Sequence, residues 1–167
     1  LEVAPNGWAG SGDPRGAWSN NKVTTTGQNF TTASTEGYSG SEKVNWKIGQ
    51  GFYNTSIMKV AGATSPVKDA VAGYQGAGNT VGQWFLPSMN ELNELCKWVN
   101  NSTTGDLKTA CVQQGVGNLR SGFEEHRYWS SSEASADRAW FMRLESNVVN
   151  NADKEKDPSN SYVAWYR

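Results

Sequence analysis

The chain has 167 residues, with 15 Lys and Arg against 16 Asp and Glu, one His, two Cys, 18 Gly and eight Trp. Charges this evenly balanced give no basic field to displace counterions from a phosphate backbone, which argues against nucleic acid as a partner. No apolar stretch approaches the roughly 20 residues of a membrane-spanning helix, which argues against membrane insertion.

Hydrophobic residues make up only 37% of the chain and charged residues 19%, so Gly, Ser, Thr, Asn and Gln dominate the rest. Eight Trp, six Tyr and five Phe nonetheless supply large buriable surfaces, and the length suits one domain with its own core. The chain starts at Leu1 rather than Met and shows no signal peptide. We therefore expect residues 1–167 to form a single domain cut from a longer surface or secreted protein.

Residues 1–50 are a polar, Gly-rich run punctuated by Trp8, Trp18, Phe30, Tyr38 and Trp46. Turn signals at Pro5-Asn6-Gly7 and Gly12-Asp13-Pro14 and interruptions at Gly27 and Asn29 predict loops, with at most a short edge strand within Val23 to Thr35. Helical spacing then appears three times. Asn54 can cap a helix in which Ile57, Val60 and Ala61 share a face before Gly62 ends it. Ser65-Pro66 starts a second, with Val67, Ala70, Val71 and Tyr74 on one face and Gly76 and Gly78 beyond it. Ser88-Met89-Asn90-Glu91 is a capping box that opens a third, with an apolar stripe of Leu92, Leu95, Cys96 and Val99.

From about Asn118 the pattern returns to strands. Tyr128 to Ser132 and Ala139 to Leu144 read as two strands around a polar turn, with Trp140, Met142 and Leu144 on one face of the second and Phe141 and Arg143 on the other. Asn150 to Asn160 reads as a charged loop and Tyr162 to Tyr166 as a last strand. Trp84, Phe85, Leu86 and Trp129 are expected to anchor the core. Trp98, Trp140 and Trp165 have polar neighbours and are the candidates for stacking on a ligand.

The segments Leu1 to Trp8, Gly51 to Tyr74, Trp84-Phe85-Leu86-Pro87-Ser88-Met89-Asn90-Glu91-Leu92-Asn93, Tyr128-Trp129-Ser130-Ser131-Ser132-Glu133 and Ala139-Trp140-Phe141 together resemble the Legionella collagen-like protein C-terminal domain family. They also look like the wider group with the C-type lectin-like and formylglycine-generating-enzyme fold. The resemblance spans nearly the whole chain, loosely over residues 9–50. It departs from the family pattern at Leu144 to Val149 and at the closing Ala164-Trp165-Tyr166-Arg167.

What it implies is an α+β, C-type lectin-like domain: two or three short helices on small twisted antiparallel sheets, loop-rich, with a ligand-binding surface from the C-terminal half. It further implies an extracellular or bacterial cell-surface location, or a virion appendage. On that geometry the ligand-binding residues are expected to be Glu133, Asp137, Arg138, Trp140, Arg143, Asn147, Asn150 and Asn151.

One His and two Cys cannot build a four-ligand zinc site from N and S donors, and no metal site is expected. Calcium has oxygen donors available around Asp153, Asp157 and Asn160 and around Glu133 and Asp137, but there is no EF-hand pattern and such a stretch reads as a solvated loop. His126, with Glu124, Glu125 and Ser130 to Ser132 nearby, is the only candidate base. There is no G-x-S-x-G elbow, and the chain after Cys111 lacks the cysteine pair that formylglycine-generating enzymes use.

In an exported chain Cys96 and Cys111 are expected to form a disulfide closing a loop of about 15 residues, worth roughly 3 kcal/mol in the chain-entropy model. Four N-x-S/T triplets, at Asn29, Asn54, Asn100 and Asn101, read as products of composition. The reading that emerges is a noncatalytic, adhesin-like domain that recognises a glycan or protein receptor. The alternatives are a structural subunit of a surface fibre or phage appendage, with copies of itself or fibre neighbours as partners, and an enzyme on the related fold.

Overall fold

The computed structural model describes residues 2–5, 8, 10, 14–19, 46–58, 65–76, 83–100, 123, 127–135, 137–144, 148–153 and 165–166. Of residues 148–149, 151–153 and 165–166 it describes the backbone alone. The elements run β1 (Glu2–Val3), α1 (Gln50–Ile57), α2 (Pro66–Gly73), β2 (Trp84–Phe85), α3 (Met89–Val99), β3 (Arg127–Glu133), β4 (Arg138–Arg143), β5 (Val148–Asp153) and β6 (Trp165–Tyr166). The fold is α+β, and the described residues form two three-stranded antiparallel sheets in the orders β1-β6-β2 and β3-β4-β5.

Local chemistry sets two of the helices. At α2 the Ser65 hydroxyl accepts from the Lys68 N–H at 3.2 Å, and Pro66 occupies the first turn, where an N–H has no helical partner to lose. At α3 both halves of the capping box form: the Ser88 hydroxyl accepts from the Glu91 N–H, and the Glu91 carboxylate accepts from the Ser88 N–H at 2.7 Å.

The first helix departs from expectation. It begins at Gln50, not beyond Asn54, and closes at Met58. No local side chain caps it; instead Glu91, 42 residues away, reaches back from α3 and accepts the Gly49 N–H at 2.8 Å. Asn54 lies inside the helix, buried, and its amide donates to the Ser131 hydroxyl at 3.1 Å. The expected Val60 and Ala61 lie outside the described residues.

The β3-β4 pair separates two apolar clusters, so both of its faces are covered. Tyr128, Trp140 and Met142 join Trp46, Phe85 and the α3 stripe of Met89, Leu92, Leu95, Cys96 and Val99 on one side. Trp129, Ala139 and Phe141 join Trp18, Met58, Val67, Val71, Trp84 and Leu86 on the other. Strand side chains alternate between faces, so a strand covered on both reads as continuously buried, and β3 is buried from Tyr128 to Glu133. Trp84, Phe85, Leu86 and Trp129 are core residues, as expected.

The segment expected to start a charged loop at Asn150 is instead β5, paired with β4 in the register Phe141↔Asn150 and Arg138↔Asp153. Of the last strand expected at Tyr162 to Tyr166, Trp165–Tyr166 form β6, which lies between β1 and β2, and residues 162–164 lie outside the described residues. The edge strand expected within residues 23–35 lies outside the described residues.

Candidate functional site

The serines of β3 were the nearest thing to a nucleophile in the sequence, and their hydroxyls and backbone are committed to structure. The Trp18 indole N–H donates to the Ser130 carbonyl at 2.7 Å, and the Ser130 hydroxyl donates to the Trp140 carbonyl at 3.0 Å. The Ser131 N–H donates to the Pro87 carbonyl at 2.7 Å, and the Ser132 hydroxyl accepts from the Met89 N–H at 3.4 Å. All three serines are fully buried. A buried polar run of this kind is stable only when its groups find partners, and here the partners belong to α1, α3, β4, the segment around Trp18 and Pro87 just before α3. His126 lies outside the described residues.

Glu91 is the other buried polar centre. Its carboxylate accepts from the Gly49 and Ser88 backbone N–H groups, which joins the start of α1 to the start of α3. Burial pushes its pKa above the ordinary 4.5, against the lowering effect of those hydrogen bonds. It serves as a structural tie rather than a group open to solvent.

The eight expected ligand-binding residues fall in three places. Glu133 and Trp140 are buried. Trp140 shares a face with Met142 and stands edge-on to Trp46, with ring centroids 4.9 Å apart, which removes it from any ligand-facing surface. The expectation that Arg138 to Arg143 forms an exposed surface is corrected for the same reason: β4 is the central strand of its sheet. Asp137 accepts from the Ser135 hydroxyl at 2.6 Å in the β3–β4 turn, beside exposed Arg138.

Arg143 is half-buried and Asn150 exposed, and both lie on the Phe141 side of the sheet, because Asn150 pairs with Phe141 and Arg143 is two residues further along β4. Asn151 is placed by backbone alone, and Asn147 lies outside the described residues.

One residue was missed. Arg127 is the register partner of Arg143, and its guanidinium lies over the Phe141 ring at 5.1 Å from the centroid. Residues 127 and 143 carry no sequence signal of proximity; only the hairpin register joins them. Among the other tryptophans weighed for stacking, Trp98 is 52% exposed and packs edge-on to Phe123, while Trp165 is placed by backbone alone.

Among the described residues no group of three or more His, Cys, Asp or Glu is arranged to hold a metal. The Asp153 side chain, Asp157 and Asn160 lie outside them. Among the described residues no helix is long and apolar enough to cross a membrane. Cys96 is buried, with its Sγ 3.4 Å from the Leu144 carbonyl; Cys111, its expected disulfide partner, lies outside the described residues. Asn100 ends α3 beside it, donating to the Cys96 and Leu144 carbonyls at 2.8 Å each.

The chain matches no protein-family model, no curated protein and no solved structure.

Proposed function

We propose that the domain is a noncatalytic recognition module of C-type lectin-like architecture, binding a glycan or protein receptor as part of a bacterial surface or secreted protein. The observation that carries this reading is the division of labour within the β3-β4-β5 sheet. Its Trp, Tyr and Ser residues are spent on the core, while Arg143 and Asn150, with Arg127 beside them, stand half-exposed or exposed on one side of it. Arg127 and Arg143, held on a strand pair that is packed on both faces, meet a partner with little left to order, which lowers the entropic cost of binding. Planar amide and guanidinium groups suit hydroxyl, amide and carboxylate partners alike.

The test is a glycan array together with binding to cells and extracellular matrix. Saturable binding to one ligand class supports the reading; no binding in any of the three contradicts it.

A second reading, a structural subunit of a fibre or appendage, draws support from a different observation. Ile48 and Tyr53 are 53% and 52% exposed, and with Phe52 they place three large apolar side chains at the surface around the start of α1. Sedimentation over a concentration series separates the two. A monomer throughout favours recognition, and ordered self-association favours assembly.

A further inference from the structure

The chain enters α1 through a turn that is tied down on its inner side. The Lys47 carbonyl accepts from the Gln50 N–H at 3.1 Å and from the Ser88 hydroxyl at 2.9 Å, and the Gly49 N–H donates to Glu91 at 2.8 Å. Gly49 has φ 90° and ψ −12°, the values of the third position of a type II turn, which glycine fills at little cost. Ile48 takes the second position, where Pro and small polar residues are usual. Its side chain is exposed and belongs to neither apolar cluster, so neither the turn nor the core accounts for an isoleucine there.

On the first turns of α1, Tyr53 is as exposed as Ile48, and Phe52 packs edge-on to Phe85 while remaining exposed. Residues 46–58 carry one charge, the exposed Lys47, and no acid. Among the described residues nothing pairs with the Lys47 ammonium and nothing hydrogen-bonds the Tyr53 hydroxyl. At their exposures the three apolar side chains present roughly 300 Å², against about 800 Å² a side for a stable pair of folded proteins. A second folded copy seated on this patch alone falls short of that area, whereas a few residues of extended or helical chain would cover it.

We infer that the surface of Lys47, Ile48, Phe52 and Tyr53 docks a short segment of another protein chain. The segment sets an aliphatic or aromatic side chain against Ile48 and Tyr53 and a carboxylate against Lys47. Its size follows from the area, and its charge from a lone cation with no acid beside it. The fixed turn holds Ile48 in place before contact, so little of the binding energy is lost to ordering. The docking site is independent of receptor binding at Arg143 and Asn150.

The test selects random heptapeptides displayed on phage against the immobilised protein, with counter-selection on the double variant Ile48→Ser, Tyr53→Ser. Enriched sequences are expected to join an apolar residue to Asp or Glu. A synthetic copy of one, titrated into the 15N-labelled protein, is expected to shift the Ile48 and Tyr53 amide resonances saturably. Ile48→Ser is expected to weaken it at least about tenfold. Lys47→Gln is expected to weaken it about two- to fivefold, a difference that high salt removes. Trp98→Ala, at a separate exposed aromatic, is expected to leave it unchanged.

No enrichment, or sequences that bind the parent and the double variant alike, would overturn the docking site. Enriched sequences without an acid would overturn the acidic occupant. Self-association in sedimentation that Ile48→Ser abolishes would assign the surface to a second copy instead. Flotation with phosphatidylcholine–phosphatidylserine vesicles that Ile48→Ser abolishes would assign it to a lipid surface. Either of these would overturn the segment as its occupant. None of these measurements needs a receptor, so their failure is distinguishable from a failure of receptor binding.

Discussion

Gly51 offers the sharpest perturbation of the packing at the heart of the domain. It is the second residue of α1, where alanine ordinarily favours a helix by up to about 1 kcal/mol. Here a Cβ would overlap Glu91 Oε2 and lie 2.8 Å from the Leu86 carbonyl oxygen and 2.9 Å from Phe85 Cδ2. Backbone and a packed ring cannot retreat cheaply, and forcing extra atoms into a full site costs about 1–3 kcal/mol. The carboxylate that must move is the one that holds the Gly49 and Ser88 N–H groups, and a hydrogen bond to a charged group is worth about 1.5–3 kcal/mol.

Set against the helix propensity, Gly51→Ala is expected to lose about 2–4 kcal/mol of stability. Gly73→Ala, at the last residue of α2 with nothing within 4 Å of its Cβ, is the control and is expected to be neutral or gain up to about 1 kcal/mol. Urea unfolding followed by tryptophan fluorescence reads both. A Gly51→Ala protein as stable as the parent would refute the close approach of α1 to Glu91.

Four further outcomes follow from the same packing. Because burial raises the Glu91 pKa, the folded state holds its proton at higher pH than the unfolded chain. Its contribution to stability is therefore full below pH 4.5 and is lost as pH rises through the folded pKa; Glu91→Gln, compared by urea unfolding across pH 4–8, should lack that part of the slope. Trp18→Ala removes a fully buried indole and its bond to the Ser130 carbonyl, and should cost about 3–5 kcal/mol in the same assay. Trp140→Ala should cost a similar amount, about 3–5 kcal/mol, whereas Trp98→Ala, half-exposed, should cost under about 1 kcal/mol. Thiol titration of the denatured, unreduced protein should find no free thiol if Cys96 and Cys111 are joined, and reduction should lower stability by roughly 3 kcal/mol.

What could be read from the sequence was what is decided locally. Ser65-Pro66 and the Ser88–Glu91 capping box specify α2 and α3 within a few residues, and the alternation through Trp140, Met142 and Leu144 identified both β4 and the face these residues share. The start of α1 was misplaced because its cap comes from Glu91, and Asn54, the best local candidate, is engaged by Ser131 instead. The strand β5 was hidden in a polar segment with no alternation, because its place is set by pairing with β4.

The same limit governs the site. Polar neighbours in sequence made Trp140 look like a ligand residue, while the ring that buries it, Trp46, is nearly a hundred residues away. Arg143 and Asn150 could be named on the geometry that the resemblance implies, but Arg127 acquires meaning only from the register that sets it opposite Arg143. Long-range register and remote capping are the terms that a single sequence does not display.

The most direct test of recognition through the β4–β5 side of the sheet is a comparison of the parent protein with the double variant Arg143→Ala, Asn150→Ala. Each is measured by surface plasmon resonance against whichever glycan or receptor the array and cell-binding screens return. Binding by the parent and its loss in the double variant are expected, with both proteins showing the same folded-state tryptophan fluorescence in the absence of urea. Undiminished binding by the double variant would contradict recognition through this side of the sheet.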